Sequence, residues 1–137
     1  MSLIRDDQIQ AGLVSYLKGR TAVTSLVTGT YGVEIREDQW QGTKFTYPNV
    51  RVRLISNVPT DKTGCLHEFT AGIQVFSEEA SSMESDQIAG IIGNELHGNG
   101  FQSNNIAFTI QVTNLIPAIR SDMRTWRSEV LIRGSAS

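Results

Sequence analysis

At 137 residues the chain has the length of one ordinary domain, which buries enough surface to fold without metals or disulfides. Its formal net charge of −2 argues against a dedicated nucleic-acid-binding protein, because such proteins usually carry a basic excess. The single cysteine, Cys65, excludes an intrachain disulfide and a cysteine-only zinc site, and we interpret it as a reduced thiol beside a strand.

No apolar run is long enough to span a bilayer, and Met1–Asp7 lacks the basic start and apolar core of a signal peptide. We therefore expect assembly in a cytoplasm, with no membrane partner. Nine of the twelve basic residues are arginines. Because arginine binds carboxylates bidentately and is less strongly hydrated than lysine, this bias is a mild indication of a protein-binding surface.

The first elements are predicted to be helical. Asp6 or Asp7 is placed to cap a helix whose apolar stripe runs over Ile9–Leu17, and Gly19 is a plausible end. Thr21–Val27 is predicted to form a second, shorter helical turn.

A strand is predicted next at Val33–Arg36, followed by a polar loop over Glu37–Thr46 that carries Trp40 and Phe45. Two interpretations of these exposed-looking aromatics remain open. They fold back to cover the edge of the core, or they anchor another subunit, since aromatic residues are enriched at the centres of interfaces.

Val50, Val52 and Leu54 alternate with Arg51 and Arg53, which predicts a half-buried strand. The two arginines share the face opposite the core. That face is either an ordinary solvated sheet surface with a carboxylate at matching height, or it faces a neighbouring chain.

A second alternating strand, Glu68–Phe76, is predicted after the polar loop Asn57–Gly64, which is longer than a tight hairpin requires. An amphipathic helix is predicted over Met83–His97, with Ser81 and Glu84 at the spacing of a capping box. Its predicted buried stripe consists of Met83, Ile88, Ile91, Ile92 and Leu96.

Two more strands are predicted near the carboxyl end. Ile106–Val112 alternates cleanly, Pro117 is expected to end or bend that strand, and Trp126–Ile132 forms the last one. We expect Arg120–Arg124 to be a turn and Gly134–Ser137 to be a short flexible tail.

These elements predict a single α+β domain over residues 1–137. The expected architecture is a mainly antiparallel sheet of about five strands with two main helices packed on one face. The residues predicted to share one core are Phe69, Ile73, Val75, Ile88, Ile92 and Leu96. The opposite face is expected to carry Arg51, Arg53, Thr70, Gln74, Thr109 and Gln111.

The sequence contains no phosphate-binding glycine loop, no nucleophile elbow and no HExxH motif. We expect no catalytic residues, no metal ligands and no cofactor. A small cytoplasmic enzyme using Asp61, His67 or Glu68 remains an alternative, although isolated polar residues in loops rarely form a site.

The order of elements resembles the tail completion or tail terminator proteins of long-tailed bacteriophages. The residues that carry the resemblance are the opening helix Ile9–Leu17, Val33–Ile35, Tyr47-Pro48 with Val50–Leu54, His67-Glu68-Phe69 with Ile73–Phe76, and Ile88–Leu96. After Phe101 only the pattern matches. The resemblance rests on the order of these motifs, their spacing and the total length of the chain, and not on any one motif.

The resemblance implies a structural virion protein that forms a ring, usually a hexamer, at the head-proximal end of the tail tube. Such a ring stops polymerisation of the tube and joins the tail to the head. Its partners would be copies of itself, the tail tube protein and the head–tail connector or stopper, with DNA passing through the lumen without specific binding. Alternatives are a connector, neck or tube protein of the same particle, or a monomeric binding module.

We expect the long loops to make the assembly contacts, with Arg51 and Arg53 reaching a neighbour's acidic turn at the other end of the strand–loop–strand–helix unit. We also expect the arginines to lie mostly in subunit contacts and the channel wall to be neutral or acidic, because a basic wall would hold DNA phosphates. The candidate interface residues are Trp40, Lys44, Phe45, Arg51, Arg53, Asp61, Lys62, Glu78 and Glu79.

Overall fold

The computed structural model describes residues 3–60, 62 and 65–137. Within these described residues, three helices and eight strands follow one another. They are α1 (Asp6–Lys18), α2 (Thr21–Val27), β1 (Thr28–Gly29), β2 (Gly32–Val33), β3 (Ile35–Glu37), β4 (Asn49–Pro59), β5 (His67–Ser77), α3 (Met83–Leu96), β6 (Gly100–Ser103), β7 (Ile106–Arg120) and β8 (Trp126–Ala136).

The main sheet has six strands in the order β3-β4-β5-β8-β7-β6. Every neighbouring pair is antiparallel except β3 with β4, which is parallel. A separate two-stranded ribbon joins β1 to β2. The predicted α+β class and the mainly antiparallel sheet are confirmed, and the predicted helical turn over Thr21–Val27 is α2.

The apolar core lies between one face of this sheet and the helices. α3 packs against β5, β7 and β8, and α1 packs against β3 and β4. The prediction of one shared core is confirmed for all of its members, since Phe69, Ile73, Val75, Ile88, Ile92 and Leu96 are buried in a single cluster.

The start of α1 differs from the prediction. The N-cap position is Arg5, and the carbonyl of the Gln8 side chain accepts the Arg5 backbone N–H at 2.9 Å. Asp6 and Asp7 lie in the first turn, where their negative charges interact favourably with the positive end of the helix dipole. The helix ends at Gly19 as expected.

Two details of α3 were predicted wrongly. Met83 is 73% exposed and does not belong to the buried stripe of the helix. The expected capping box does not form: the hydroxyl of Ser81 accepts the Met83 N–H at 3.2 Å, whereas the Glu84 carboxylate accepts the Ser77 hydroxyl at 2.8 Å.

Four strands are longer than predicted. β4 continues to Pro59 and β5 begins at His67, so their connection is shorter than the expected loop. β7 continues past Pro117 to Arg120, and β8 continues to Ala136 instead of ending in a flexible tail. Ladder pairing explains both extensions, since Phe108 in β7 still pairs with Ala136.

A short strand that was not predicted, β6, pairs with the start of β7. The connection consists of Asn104 and Asn105, with φ angles of 51° and 65°. Asparagine tolerates this left-handed region well, and two such residues form the tight turn that suits a two-residue hairpin.

Candidate assembly surfaces

The register of the strands defines the helix-free face of the sheet. Arg36 lies beside Arg51, which lies beside Gln74, which in turn lies beside Glu129. The sequence had placed Arg51, Arg53, Thr70, Gln74, Thr109 and Gln111 on this face. Gln74 is only 7% exposed, so the face is covered around this residue, whereas Arg53, Thr109 and Gln111 are exposed.

The cover comes from an aromatic–arginine cluster, which we define as Arg36, Trp40, Phe45, Tyr47 and Arg51. The Trp40 ring lies 3.9 Å from the guanidinium carbon of Arg36 and 4.9 Å from that of Arg51. Phe45 lies 5.5 Å from the Arg51 guanidinium and packs edge-on against both Trp40 and Tyr47. Both cations therefore sit over aromatic faces, an arrangement that stabilises a partly desolvated charge.

A buried carboxylate holds the loop of this cluster in place. Glu34, between β2 and β3, is 1% exposed and accepts the Arg36 Nη1 at 2.7 Å and 3.3 Å through its two oxygens. The same carboxylate accepts the backbone N–H of Thr46 at 3.2 Å. One buried anion thus joins a strand side chain to the far end of the aromatic loop.

Arg51 has no carboxylate within ion-pair distance among the residues that the structure describes. Its Nη1 is buried without a hydrogen-bond partner there. Burial, together with the nearby Arg36 charge, lowers the pKa of Arg51, and Glu34, Glu37 and Asp38 partly oppose that shift. The aromatic rings are therefore the main direct contacts of this cation.

The structure thus distinguishes between the two interpretations of the loop aromatics. Trp40 and Phe45 are half-buried and fold back against the sheet. The structure agrees with the interpretation in which they fold back, because the arginines on the sheet face contact the rings and Glu34 holds the loop. A role in contacts between subunits remains a prediction for the outer surface of the cluster.

Arg53 has a partner within the chain. Its Nη2 lies 3.3 Å from a carboxylate oxygen of Glu129, with the two side chains 45% and 14% exposed. Glu129 lies on β8, two strands away from β4, so the pair reaches across Gly72 of β5, where no side chain stands in the way. The carboxylate expected on the adjacent strand is therefore supplied by the strand beyond it. Arg5, Arg20 and Arg36 also have carboxylate partners within the chain, so these arginines do not depend on a neighbour for charge compensation.

Glu78 and Glu79 are exposed and follow directly after β5. Asn49 pairs with Phe76, so this acidic turn and Arg51 lie at the same end of the sheet. The expectation that they lie at opposite ends was wrong. Glu78 also lines a cleft of about 680 Å³, together with Tyr47 and residues 122–125.

The remaining predicted interface residues give less information. Lys44 is exposed in the aromatic loop, and Lys62 is exposed in the connection between β4 and β5. Asp61 lies outside the described residues.

Exposed apolar side chains at the two ends of the sheet were missed by the sequence analysis. Ile55, Val58 and Leu66 lie at or near the β4–β5 hairpin and are 52%, 53% and 40% exposed. At the opposite end, the β7–β8 hairpin carries Leu115, Ile119 and Met123, which are 51%, 49% and 89% exposed. For the β7–β8 end, the sequence feature that could have indicated them is the apolar run Leu115-Ile116 before Pro117, which we had treated as the end of a strand.

His67, the candidate of the enzyme alternative, is 1% exposed. Its Nε2 accepts the Ile4 N–H at 3.1 Å, so Nδ1 carries the proton and donates to the Asn57 side-chain oxygen at 2.7 Å. Glu68, the next residue along the strand, points to the opposite face. His67 and Glu68, the two described residues of the enzyme alternative, therefore do not form a site together. His67 instead holds the N-terminal segment in place.

Within the described ranges, no group of three or more His, Cys, Asp or Glu side chains is placed to hold a metal ion. No helix in the same ranges is both long and apolar enough to cross a membrane.

Comparison with known proteins identifies the fold. No family model matches the chain. No curated protein matches it either. Among solved structures, a chain in the virion of a native gene transfer agent (GTA) particle superposes with a TM-score of 0.72 at 16% identity, covering 93% of both chains. A second solved chain, whose name states no function, superposes with a TM-score of 0.59 at 12% identity, covering 91% of this chain and 94% of its own length. The complete domain architecture is therefore shared with a chain of a virion particle.

Proposed function

We propose that the protein is a structural component of a virion, and more specifically a ring-forming tail terminator that caps the head-proximal end of a tail tube. The observation that carries the virion role is the GTA superposition, which extends over 93% of both chains. Since the likeness covers the whole domain, it is not the reuse of a common supersecondary motif. The more specific proposal, a tail terminator, is supported by the order of the elements in the sequence, which resembles that family.

The surfaces of the molecule suit a ring. A closed ring needs a heterologous contact, in which two different patches of the same chain meet. Apolar side chains stand at both ends of the sheet, with Val58 at one end and Ile119 at the other, about half exposed in each case. These two ends are suited to contacts above and below the ring, with the tube and with the connector. The sides of the domain would then contact neighbouring copies.

Location follows from this role. The protein would lie at the junction of tail and neck, with DNA passing through the lumen, after assembly in the host cytoplasm. The helix-free face carries arginines of which Arg36 and Arg53 have carboxylate partners in the chain. Such pairs reduce the attraction of these arginines for DNA phosphates wherever they lie in the ring, which is consistent with passage without specific binding.

Removal of the gene from the particle that encodes it tests the assignment. A terminator is absent from the tail shaft and controls its end, so we expect filled heads without tails, together with free tubes of irregular length. Supplying the protein from a plasmid should restore uniform, joined tails. A tube protein would instead leave no tubes at all, and a connector would leave free tubes of normal length.

Two arginines of the helix-free face, Arg51 and Arg53, provide a second test of the assembly surface. The double change Arg51→Ala, Arg53→Ala should leave a folded monomer by circular dichroism, while weakening self-assembly in sedimentation velocity. The matched control is Arg133→Ala, an exposed arginine on the same face. Equal assembly of both variants would place the contact between subunits elsewhere.

A further inference from the structure

The main sheet has two edges that its described strands cover only in part, beside β4 from Arg53 to Pro59 and, longer, beside β7. β3 at one side has only three residues, and β6 at the other has four. β7 has 15 residues but pairs with β6 only over Ile106–Thr109, so its outer edge continues uncovered by a strand as far as Arg120. An edge of that length is the usual template for adding a strand from another chain.

The first part of this edge is occupied by the end of α3. The backbone of Ile110 donates to the Asn99 carbonyl at 3.0 Å and accepts the Gly98 N–H at 2.9 Å. The Nδ1 of His97 then accepts the backbone N–H of Val112 at 3.0 Å. Both outward hydrogen-bonding positions on this part of β7 are therefore filled from within the chain.

The second part is occupied by a side chain from the start of the same helix. The Oδ1 of Asp86 accepts the backbone N–H of Ala118 at 2.8 Å and is held in place by the Ser128 hydroxyl at 2.7 Å. Pro117, directly before Ala118, has no N–H to give to an added strand. It lies where the pairing of β7 with β8 shifts, and such a shift bends the edge away from the flat geometry that strand addition needs.

We infer that His97, Asp86 and Pro117 together block strand addition to β7, and that this block makes the ring a terminal layer instead of a template for further growth. The inference rests on the proposed function, because it explains how a terminator ends a tube. It concerns the edge itself, however, and is tested on the purified protein without tube or head.

The test compares the purified wild-type chain with the double variant Asp86→Ala, Pro117→Thr. The double variant removes the acceptor for the Ala118 N–H and restores the missing N–H beside it. We expect the wild type to sediment as discrete particles, whereas the variant shifts into fast-sedimenting filaments that bind thioflavin T. Hydrogen exchange should show faster exchange of the Ala118 amide, with the far-UV circular dichroism unchanged.

Two controls separate edge opening from loss of stability. Asp86→Asn keeps an oxygen that accepts the Ala118 N–H, so this variant should remain discrete. Glu84→Ala removes another carboxylate of α3, whose hydroxyl partner is Ser77 at the end of β5 and not on the edge of β7. This variant should also sediment as discrete particles. If the double variant does not fold, His97→Ala with Pro117→Thr takes its place, because the exposed His97 accepts the Val112 N–H. A folded form of this variant that stays discrete with a fast-exchanging Val112 amide would overturn the inference equally.

One result would overturn the inference and leave the proposed function intact. It is a folded variant whose Ala118 amide exchanges fast but which still sediments as discrete particles, like the wild type. A wild-type chain that grows into filaments by itself would overturn both. A monomeric wild type with a filament-forming variant would support the blocked edge and contradict the ring.

Discussion

The indole ring of Trp40 lies 4.9 Å from the guanidinium carbon of Arg51, a cation with no carboxylate within ion-pair distance in the described part of the chain. A loop residue and a strand residue thus stabilise each other across the helix-free face. This relationship changes how the aromatic loop is understood, because the ring is first a cover for a partly buried charge. Any partner would meet its outer surface.

Trp40→Ala should therefore lower the stability of the monomer as well as change its surface. We expect the free energy of unfolding to fall by about 1–2 kcal/mol, since a partly desolvated cation–π contact and its apolar cover are lost. Urea denaturation measures the change. The control is Tyr31→Ala, which removes a ring that is 51% exposed and should have little effect. Equal midpoints for the two variants would show that the ring does not stabilise Arg51.

Ile92→Ala tests the predicted core of α3. The side chain is fully buried, so we expect a loss of about 2–5 kcal/mol from the removed methyl groups and the cavity that remains. Met83→Ala, on the same helix but 73% exposed, should shift the denaturant midpoint far less. Similar shifts for both variants would mean that the buried face of the helix is assigned wrongly.

The N-terminal segment depends on the pair His67 and Asn57. The Asn57 amide nitrogen also donates to the Ile4 carbonyl at 2.9 Å, so Asn57→Ala removes that bond and leaves the buried Nδ1–H of His67 without its acceptor. We expect a loss of about 1–3 kcal/mol, the cost of an unsatisfied buried donor. Faster exchange of the Ile4 amide should accompany it. Asn114→Ala, an exposed asparagine on β7, is the control, and an unchanged Ile4 amide would contradict the account.

The β7–β8 turn should respond to acid. The backbone N–H groups of Arg124 and Thr125 donate to the Asp122 carboxylate at 2.8 Å and 2.9 Å, and these bonds lower the pKa of Asp122. Because its pKa is lower in the folded state, the stabilising contribution is fully present above the ordinary value of about 3.9 and is lost as the pH falls through the lowered pKa. The amide shifts of these two residues should therefore titrate with a midpoint below the ordinary value.

Asp122→Asn supplies the control for that titration, because its side chain does not ionise and the step should disappear. A midpoint at or above the ordinary carboxyl value in the wild type would show that the two hydrogen bonds do not favour the ionised form in solution.

Alternation and helical spacing were sufficient for the main elements, but their ends depended on pairing that a single sequence does not show. Pro117 was expected to end or bend a strand. β7 passes through it, and the residue lies where the ladder with β8 shifts. Gly134 suggested a flexible tail. In the structure an added Cβ there would lie 2.5 Å from the Thr109 carbonyl oxygen and 2.8 Å from the Phe69 ring, so the glycine permits close packing inside β8.

The candidate site was predicted only in part, for a similar reason. Composition identified Trp40, Phe45 and Arg51 as unusual residues, but it could not show that the loop folds back onto the strand. That geometry depends on the buried Glu34, which the alternating pattern predicts to be an ordinary exposed polar residue of a strand. The blocking of β7 by Asp86 was also invisible, because 32 residues separate the carboxylate from the Ala118 amide.

The central claim is that the protein forms a closed ring that ends a tail tube. Electron microscopy of the purified protein, with two-dimensional class averages, tests it most directly. We predict closed rings of constant copy number with an open central channel, hexameric in the usual case, and no stacked tubes at any protein concentration. Isolated monomers at all concentrations, or tubes that grow by stacking, would contradict the claim.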